Sequence, residues 1–293
     1  FWKDGMRRLK KNKIAMVSFV FIIAIAIFAY LLPAVWPYSY SEQVKGSNNL
    51  APFEYSASEQ ARIDAGEKVF PHIMGTDRMG RDFAVRIMMG TRVSLSVGLI
   101  ASVLVLIIGA TYGAVSAFAG GWVDNIMMRI VEVVNGIPYM IVVVLLMMVL
   151  PKGIFTMVVA YATVGWTGMA RLVRGQCLSL KNQEFVVAAE AMGAKPARII
   201  RKHLLPNTLS VIIINVTLQV PSAIFTEAFL SYIGLGVPVP QPSWGMLAQE
   251  GASMFTQHPS QLWIPAIAIS LTMLAFNLLG DGLRDAFDPR LRR

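Results

Sequence analysis

The sequence predicts an all-α membrane protein with six transmembrane helices. Of its 293 residues, 55% are hydrophobic and only 15% are charged, whereas soluble globular domains carry about 25% charged residues. Six stretches also lack Asp, Glu, Lys and Arg over roughly the 20 residues that a helix needs to cross a bilayer. These two observations argue against a soluble enzyme, a disordered protein and a nucleic-acid-binding protein.

The six apolar stretches are expected to be helical, because a helix satisfies every backbone polar group within its own span. In chain order they cover 14–32, 93–123, 133–151, 153–170, 204–226 and the part of 251–280 that begins near Leu262. No cleavable signal peptide is expected, because the first stretch is too long and no small-residue cleavage site follows it. We therefore predict a first transmembrane helix at 14–32 and a core of five more helices within 93–293.

The distribution of Lys and Arg predicts that both termini are cytoplasmic. With that orientation, the inner segments 1–13, 119–136, 171–203 and 281–293 contain 6, 1, 7 and 4 of the 26 basic residues. The long outer segment 33–92 has as many acidic as basic residues. The basic excess thus lies in short inner segments, as the positive-inside rule requires. We expect the net charge of +9 to face lipid headgroups rather than nucleic acid.

The segment 33–92 is predicted to be an extracytoplasmic loop. It begins with PAVWPYSYSEQ, whose Pro and aromatic residues are typical of a membrane interface. Residues 41–68 are expected to form a surface loop with one short helix. Residues 82–92, DFAVRIMMGTR, mix apolar and basic side chains and predict an amphipathic helix that lies on the outer membrane face.

The connection 171–206, between the fourth and fifth spans, is much longer than most helix connections. Its Ala-rich stretch predicts a short helix over Phe185–Met192, and Gly193 is suited to the left-handed turn that ends a helix. The small side chains of Ala188 and Ala189 would let a partner protein approach the backbone closely. A helix that only turns the chain at the membrane surface explains the same composition equally well.

No catalytic or metal-binding set is predicted. The single cysteine, Cys177, argues against disulfides and a Cys-rich zinc site, and His72, His203 and His258 are far apart and lack HExxH spacing. The patterns G-x-S-x-G and G-x-x-x-x-G-K-[ST] are missing, which disfavours a serine hydrolase and ATP hydrolysis by this chain. A secondary transporter is disfavoured because neither mid-membrane charges nor two related halves are evident. An intramembrane enzyme is disfavoured for want of a catalytic set within the spans.

The segment 188–206, AAEAMGAKPARIIRKHLLP, resembles the EAA loop of the membrane subunits of ABC importers. That loop has the pattern Glu-Ala-Ala, three residues, Gly, nine residues, Ile, one residue, Leu-Pro. The positions that match in register are Ala188, Ala189, Gly193, Leu205 and Pro206. Val187 stands in place of the Glu, and His203 in place of the Ile.

Four further blocks are similar to one subfamily, the C-type permease of oligopeptide, dipeptide and nickel importers. They cover 72–99, 119–138, 227–251 and 277–290. The resemblance implies the type I ABC-importer permease fold in a bacterial plasma membrane. It further implies a homologous B-type permease that forms the other half of the pore, and two ATPase subunits that bind ATP and Mg. An extracytoplasmic binding protein would deliver peptide, with nickel or another small solute as the alternative cargo. No cofactor is then expected on this chain.

The resemblance also implies which residues act. The residues expected to couple the pore to the ATPases are Glu184, Phe185, Ala188, Ala189, Glu190, Met192, Gly193, Ala194, Arg198, Leu205 and Pro206. Polar or kinking residues in the fifth span indicate the path, namely Asn215, Gln219, Pro221 and Glu227. Glu227 is expected either beside the outer gate, where it would attract a peptide amino group, or paired with Arg81 or Arg86.

Overall fold

The computed structural model describes residues 2–287. Apart from one isolated β-bridge between Thr76 and Asp82, the regular structure in this range is helical. The α-helices are α1 Trp2–Lys11, α2 Lys13–Tyr30, α3 Ala57–Asp64, α4 Phe83–Ala119, α5 Gly121–Gly136, α6 Tyr139–Val149, α7 Ile154–Lys181, α8 Glu184–Ala191, α9 Pro196–Ile199, α10 Leu205–Tyr232, α11 Trp244–Ser253 and α12 Ser260–Phe287. A 3-10 turn, Leu32–Ala34, follows α2, and a π turn, Ile200–Leu204, joins α9 to α10.

Four helical segments are long and apolar enough to cross a membrane, and a bent pair of helices brings the number to five if the pair counts as one span. The four segments are Lys13–Ala34, Phe83–Ala119, Pro196–Tyr232 and Ser260–Phe287. They contain the first, fifth and sixth predicted spans and most of the second, whose predicted end at Val123 lies beyond the end of α4 at Ala119. The prediction of a mostly helical membrane protein is therefore confirmed.

The third predicted span, 133–151, is not one straight helix. Its sequence is divided between α5 and α6, which meet at an angle of 81°. The break falls at Gly136–Pro138, where glycine weakens the helix and proline interrupts its hydrogen bonds. The fourth predicted span, 153–170, lies in α7 apart from Gly153, which precedes the helix. α7 is not among the four apolar segments, and its second half carries Arg171, Arg174 and Lys181.

The centre of the fold is α4, a helix of 37 residues. It packs against α7 along much of its length and also contacts α10, α2 and α11. Glycines permit this packing, because a Cβ added at Gly109 would lie 2.6 Å from the carbonyl oxygen of Trp166, too close for an ordinary contact. At Gly98 the neighbour is the side chain of Ile224 on α10. Small residues thus allow α4 to lie close to α7 and α10.

The predicted interfacial helix at 82–92 is wrong. Residues from Phe83 onward form the first turns of α4, and most of their side chains are buried. Asp82 caps this helix, because its Oδ1 accepts a hydrogen bond from the N–H of Val85 at 2.9 Å. Arg86, which gave the stretch its amphipathic pattern, is fully buried. It faces carboxylates of the same chain instead of lipid headgroups.

A buried histidine holds the segment 33–92 together. His72 Nδ1 lies 2.8 Å from Asp82 Oδ2, and its Nε2 lies 3.0 Å from Glu59 Oε1. The ring of Tyr38 stacks on the imidazole at a centroid distance of 4.4 Å. Asp82 also accepts the indole N–H of Trp36 at 3.1 Å. The cluster therefore ties the chain that follows α2 to the start of α4.

Ionisation of this cluster depends on pH. Burial favours neutral imidazole, but the hydrogen bonds and charges of Asp82 and Glu59 outweigh it and raise the pKa of His72 above its usual 6.5. Burial alone would raise the pKa of Glu59. Hydrogen bonds from Ser56 and His72 outweigh this effect and lower the pKa below its usual 4.5. His72 then stabilises the fold fully below 6.5 and less as pH rises through its raised pKa. Glu59 stabilises it above 4.5 and less as pH falls through its lowered pKa.

The substitution His72→Gln is expected to destabilise the protein most between about pH 4.5 and 6.5. Above that range the difference from the wild type should shrink, since the wild-type imidazole itself loses its proton. Thermal unfolding midpoints in detergent at about pH 6 and about pH 9 measure this difference. His258→Gln is the matched control, because His258 pairs with no carboxylate in residues 4–287. An equal difference at both pH values for His72→Gln would show that the imidazole is neutral.

Candidate functional site

The connection between α7 and α10 folds into two short helices. α7 continues to Lys181, so the basic stretch that begins at Arg171 extends that helix instead of opening the loop. The predicted short helix is confirmed as α8, which covers Glu184–Ala191 and so starts one residue earlier than expected. It follows α7 after a turn at Asn182 and Gln183.

One face of α8 is fixed to the chain itself. Val186 is fully buried in an apolar cluster with Cys177 on α7, Ile199 on α9 and Leu204. Ala189 is also buried, at 4% exposure. Ala189, one of the predicted coupling residues, therefore packs inward together with Val186.

The other face of α8 and the turn after it are exposed and partly apolar. The exposed residues are Glu184, Phe185, Val187, Ala188, Glu190, Ala191, Met192 and Gly193. Phe185 is 41% exposed and Met192 is 82% exposed. With Ala188 they have the i, i+3, i+7 spacing of a single helix face. Exposed apolar side chains on one face mark a surface that favours a partner.

Gly193 ends this helix as predicted. Its φ of +79° is left-handed, and its N–H donates to the carbonyl of Glu190 at 2.9 Å. Ala194 then donates to the carbonyl of Ala189 at 3.0 Å. Apart from its two neighbours in the chain, no described residue has an atom within 4 Å of a Cβ added at Gly193, so this turn faces open space.

Pro206 shapes the entry to α10. A proline has no N–H and excludes the carbonyl four residues before it from the hydrogen-bond ladder. The π turn supplies other hydrogen bonds for the carbonyls before Pro206. The N–H of Leu205 donates to the carbonyl of Ile200, and Asn207 Nδ2 donates to the carbonyl of His203 at 2.6 Å. Ala194 and Leu205 pack on the cluster around Val186, whereas Arg198 is exposed.

A polar stripe runs along α10. Asn215, Gln219, Ser222 and Thr226 recur at i, i+4, i+7 and i+11, which places them on one face of the helix. None of the four is buried. The Oε1 atom of Gln219 accepts no hydrogen bond from any residue that the structure describes. Asn215 and Gln219 are two of the four pore candidates predicted from the sequence.

The remaining two pore candidates face the interior of the subunit. Pro221 lies within a continuous α10 and is buried. Glu227 is 1% exposed, and its Oε1 accepts a hydrogen bond from Ser231 at 2.7 Å. The side chains of Ser94 on α4 and Ser243 before α11 also face this carboxyl group. Glu227 therefore lies between α4, α10 and α11. It is not part of the polar stripe.

The expected pairing of Glu227 with Arg81 or Arg86 is wrong. Arg86 Nη1 lies 2.7 Å from Glu250 Oε2 and also contacts Asp77. Arg81 Nε lies 2.6 Å from Asp77 Oδ2. This network joins the start of α4 to α11. Sequence reasoning missed Glu250, because it is 164 residues from Arg86 in the chain and no motif connects the two.

A cavity of about 450 Å³ lies between α7, α10 and α12. Its polar lining includes Gln176, Asn207, Asn215 and Arg284. The end of the α10 stripe thus opens into a space with amide groups and one guanidinium. These groups can donate and accept hydrogen bonds.

The predicted site residues lie mainly on the exposed face of α8 with the turn after it and on the polar stripe of α10. The residues that the structure describes include no group of three or more His, Cys, Asp or Glu that could hold a metal ion. Cys177 is buried in the apolar cluster next to α8. The features that distinguish this chain are therefore an exposed loop at one end and a polar helix face.

Comparison with known families decides the identity. Residues 106–293 match the family described as binding-protein-dependent transport system inner membrane component. Residues 1–52 match the N-terminal transmembrane domain of oligopeptide transport permease C. The chain belongs to this family of transport permeases. The permease is thus a multi-pass protein of the bacterial plasma membrane, consistent with its apolar helices.

Named relatives match the permease over essentially its full length. It is 46% identical to the oligopeptide transport system permease protein OppC of Bacillus subtilis, over 100% of this chain and 90% of that protein. It is 47% identical to the dipeptide transport system permease protein DppC of the same organism, over 100% of this chain and 87% of that protein. With OppC of Escherichia coli K12 the identity is 39%, over 99% of this chain and 92% of that protein.

A solved structure shares the fold. A chain of the MetNI methionine ABC transporter, in an inward-facing conformation, superposes with a TM-score of 0.58 at 18% identity. The match covers 69% of the permease and 97% of that chain. The fold expected from the resemblance, that of an ABC-importer permease, is thereby confirmed at the level of helix arrangement.

Proposed function

We propose that the permease forms half of the translocation pore of an ATP-driven importer of oligopeptides or dipeptides. The single observation that carries this proposal is the identity of 46–47% to peptide permeases of Bacillus subtilis over the whole chain. The open polar face of α10 supports it, because amide and hydroxyl groups suit the backbone of a peptide.

We further propose six spans with both termini in the cytoplasm, for which the distribution of basic residues is the support. In this arrangement α7 supplies the fourth span, and the loop with α8 lies on the cytoplasmic side. The permease itself carries out no catalysis. A homologous B-type permease completes the pore, two ATPase subunits hold ATP and Mg, and a binding protein delivers the peptide from outside.

The exposed face of α8 is the proposed contact with one ATPase subunit. Its inner face is fixed to α7, to α9 and to the start of α10 through Val186. A displacement of the loop is therefore transmitted to two long helices at once. This geometry converts closure of the ATPases into a tilt of the spans, which is a rigid-body form of switching. Phe185, Ala188 and Met192 provide the apolar contact, and Gly193 lets the chain turn away.

Reconstitution tests the proposed function. Liposomes containing the permease, the B-type permease, both ATPase subunits and the binding protein are expected to accumulate labelled dipeptide or oligopeptide when ATP is supplied. Omission of any one subunit should abolish uptake. Uphill accumulation by the permease alone, or uptake of nickel in preference to every peptide tested, would contradict the proposal.

Ser222→Trp is expected to lower peptide uptake at least tenfold, because an indole would fill the path next to the exposed Ser222 hydroxyl. Ile213→Trp is the matched control, since Ile213 is 37% exposed on the opposite face of α10. Initial uptake rates and the amount of assembled complex are measured for both variants. Equal uptake by the two would show that the stripe does not face the path.

A further inference from the structure

A cavity of about 490 Å³ lies where α2 ends and α4 begins. Such a volume is typical of sites for small organic ligands. Its aromatic lining comes from Tyr30, Trp36, Tyr38 and Tyr40, and its charged lining from Glu42 and Arg92. None of these residues belongs to the α8 loop or to the α10 stripe.

The aromatic walls are held in place by other parts of the chain. The hydroxyl group of Tyr30 lies 2.7 Å from Ser96 Oγ, and the indole N–H of Trp36 donates to Asp82. The hydroxyl group of Tyr38 donates to the carbonyl of Phe70. Their polar ends are thus satisfied by protein, and the cavity is formed before any ligand arrives.

The two charged residues of the cavity can bind a ligand, and the one hydrogen bond recorded for the Glu42 carboxylate is a long one, from the N–H of Ser39 at 3.5 Å. Arg92 is exposed, and its guanidinium carbon lies 5.4 Å from the centroid of the Tyr30 ring. Within the part of the chain that the structure describes, neither Arg92 nor Glu42 forms a salt bridge. Both line the same cavity without pairing with each other. A ligand with one negative and one positive group complements this pair.

The position of the cavity favours a lipid. Arg92 directly precedes the charge-free stretch 93–123, and Tyr30 ends the apolar helix α2. Tyrosine and tryptophan concentrate at the level of the headgroups in membrane proteins. With the orientation given under the proposed function, this level belongs to the outer leaflet.

We propose that this cavity binds the headgroup of phosphatidylethanolamine. The phosphodiester receives hydrogen bonds from the guanidinium of Arg92, which matches phosphate oxygens well. The ammonium group lies at the Glu42 carboxylate and against the aromatic faces, which attract cations. The acyl chains extend along the exposed apolar surface of α2, where Ile27 is 50% exposed.

Native mass spectrometry of the purified, delipidated transporter complex tests the proposal. The probes are phosphatidylethanolamine and phosphatidylglycerol with identical acyl chains, and soluble phosphoethanolamine. Wild-type complex should bind phosphatidylethanolamine at least fivefold more tightly than phosphatidylglycerol. Arg92→Gln should weaken binding of both lipids at least fivefold. Glu42→Gln should weaken binding of phosphatidylethanolamine alone, because phosphatidylglycerol has no ammonium group.

The control variant is Arg78→Gln, which removes an exposed positive charge of the same outer segment outside the cavity. It should leave both affinities unchanged. Equal binding of the two lipids by the wild type would overturn the proposal, as would an equal effect of Arg78→Gln and Arg92→Gln. If soluble phosphoethanolamine displaced phosphatidylethanolamine when both were present at the same concentration, the cavity would be assigned to a free phosphate ester instead of a lipid. The measurement involves no transport, so its outcome is independent of the peptide-uptake test.

Discussion

Gly193→Asp is expected to abolish ATP-driven peptide uptake while the amount of permease in the membrane stays unchanged. The φ of +79° is strained for most residues but tolerable for Asp, and no atom lies within 4 Å of the added Cβ. The fold therefore has room for the new side chain. The added charge would lie beside Met192, which is 82% exposed, on the surface that we propose as the contact with the ATPase subunit.

The measurement pairs uptake with the ATPase rate of the assembled complex. For Gly193→Asp, ATP hydrolysis should no longer respond to the loaded binding protein. Gly175→Asp is the matched control, because Gly175 is an exposed glycine on α7 with no atom within 4 Å of an added Cβ. Its uptake should remain close to that of the wild type. Normal uptake by Gly193→Asp would rule out this turn as part of the ATPase contact.

Gly113→Ala is expected to reduce the stability of the permease strongly. An added methyl group at this position of α4 would overlap the carbonyl oxygen of Ala170 and lie 2.9 Å from the backbone nitrogen of Arg174, both on α7. Backbone atoms cannot rotate away as a side chain can, so the two helices must separate. Overpacking of this kind costs about 1–3 kcal/mol.

Thermal unfolding of the purified permease in detergent measures this effect, together with the yield of folded protein from membranes. Gly175→Ala, on α7, provides the comparison. No neighbour lies within 4 Å of its added Cβ, and alanine favours a helix by about 1 kcal/mol over glycine. We expect that variant to be as stable as the wild type or slightly more so. Equal unfolding midpoints for the two variants would show that α4 and α7 are farther apart than described.

Local chemistry made parts of the fold predictable from sequence. The end of α8 at Gly193 was predictable because few residues other than glycine adopt a left-handed backbone readily. The long apolar helices follow from hydropathy alone. The break at Gly136–Pro138 carried a sequence signal, but a continuous run of uncharged residues concealed it.

Contacts between distant parts of the chain could not be predicted. Periodicity showed that residues 82–92 are amphipathic, but it could not show that Asp77 and Glu250 neutralise Arg86 inside the protein. For the same reason, composition did not show which face of α8 packs inward. Ala188 and Ala189 are chemically identical neighbours, and only the tertiary structure buries one and exposes the other.

The uninterrupted course of α7 has a mechanical consequence. Its 28 residues give a rod about 42 Å long at a rise of about 1.5 Å per residue. A rotation of about 10° around one end of such a rod displaces the other end by about 7 Å, more than one helical turn. Because α8 is anchored at the far end of this rod, it acts at the tip of a lever arm. A displacement of α8 therefore moves the residues of α7 that pack against α4.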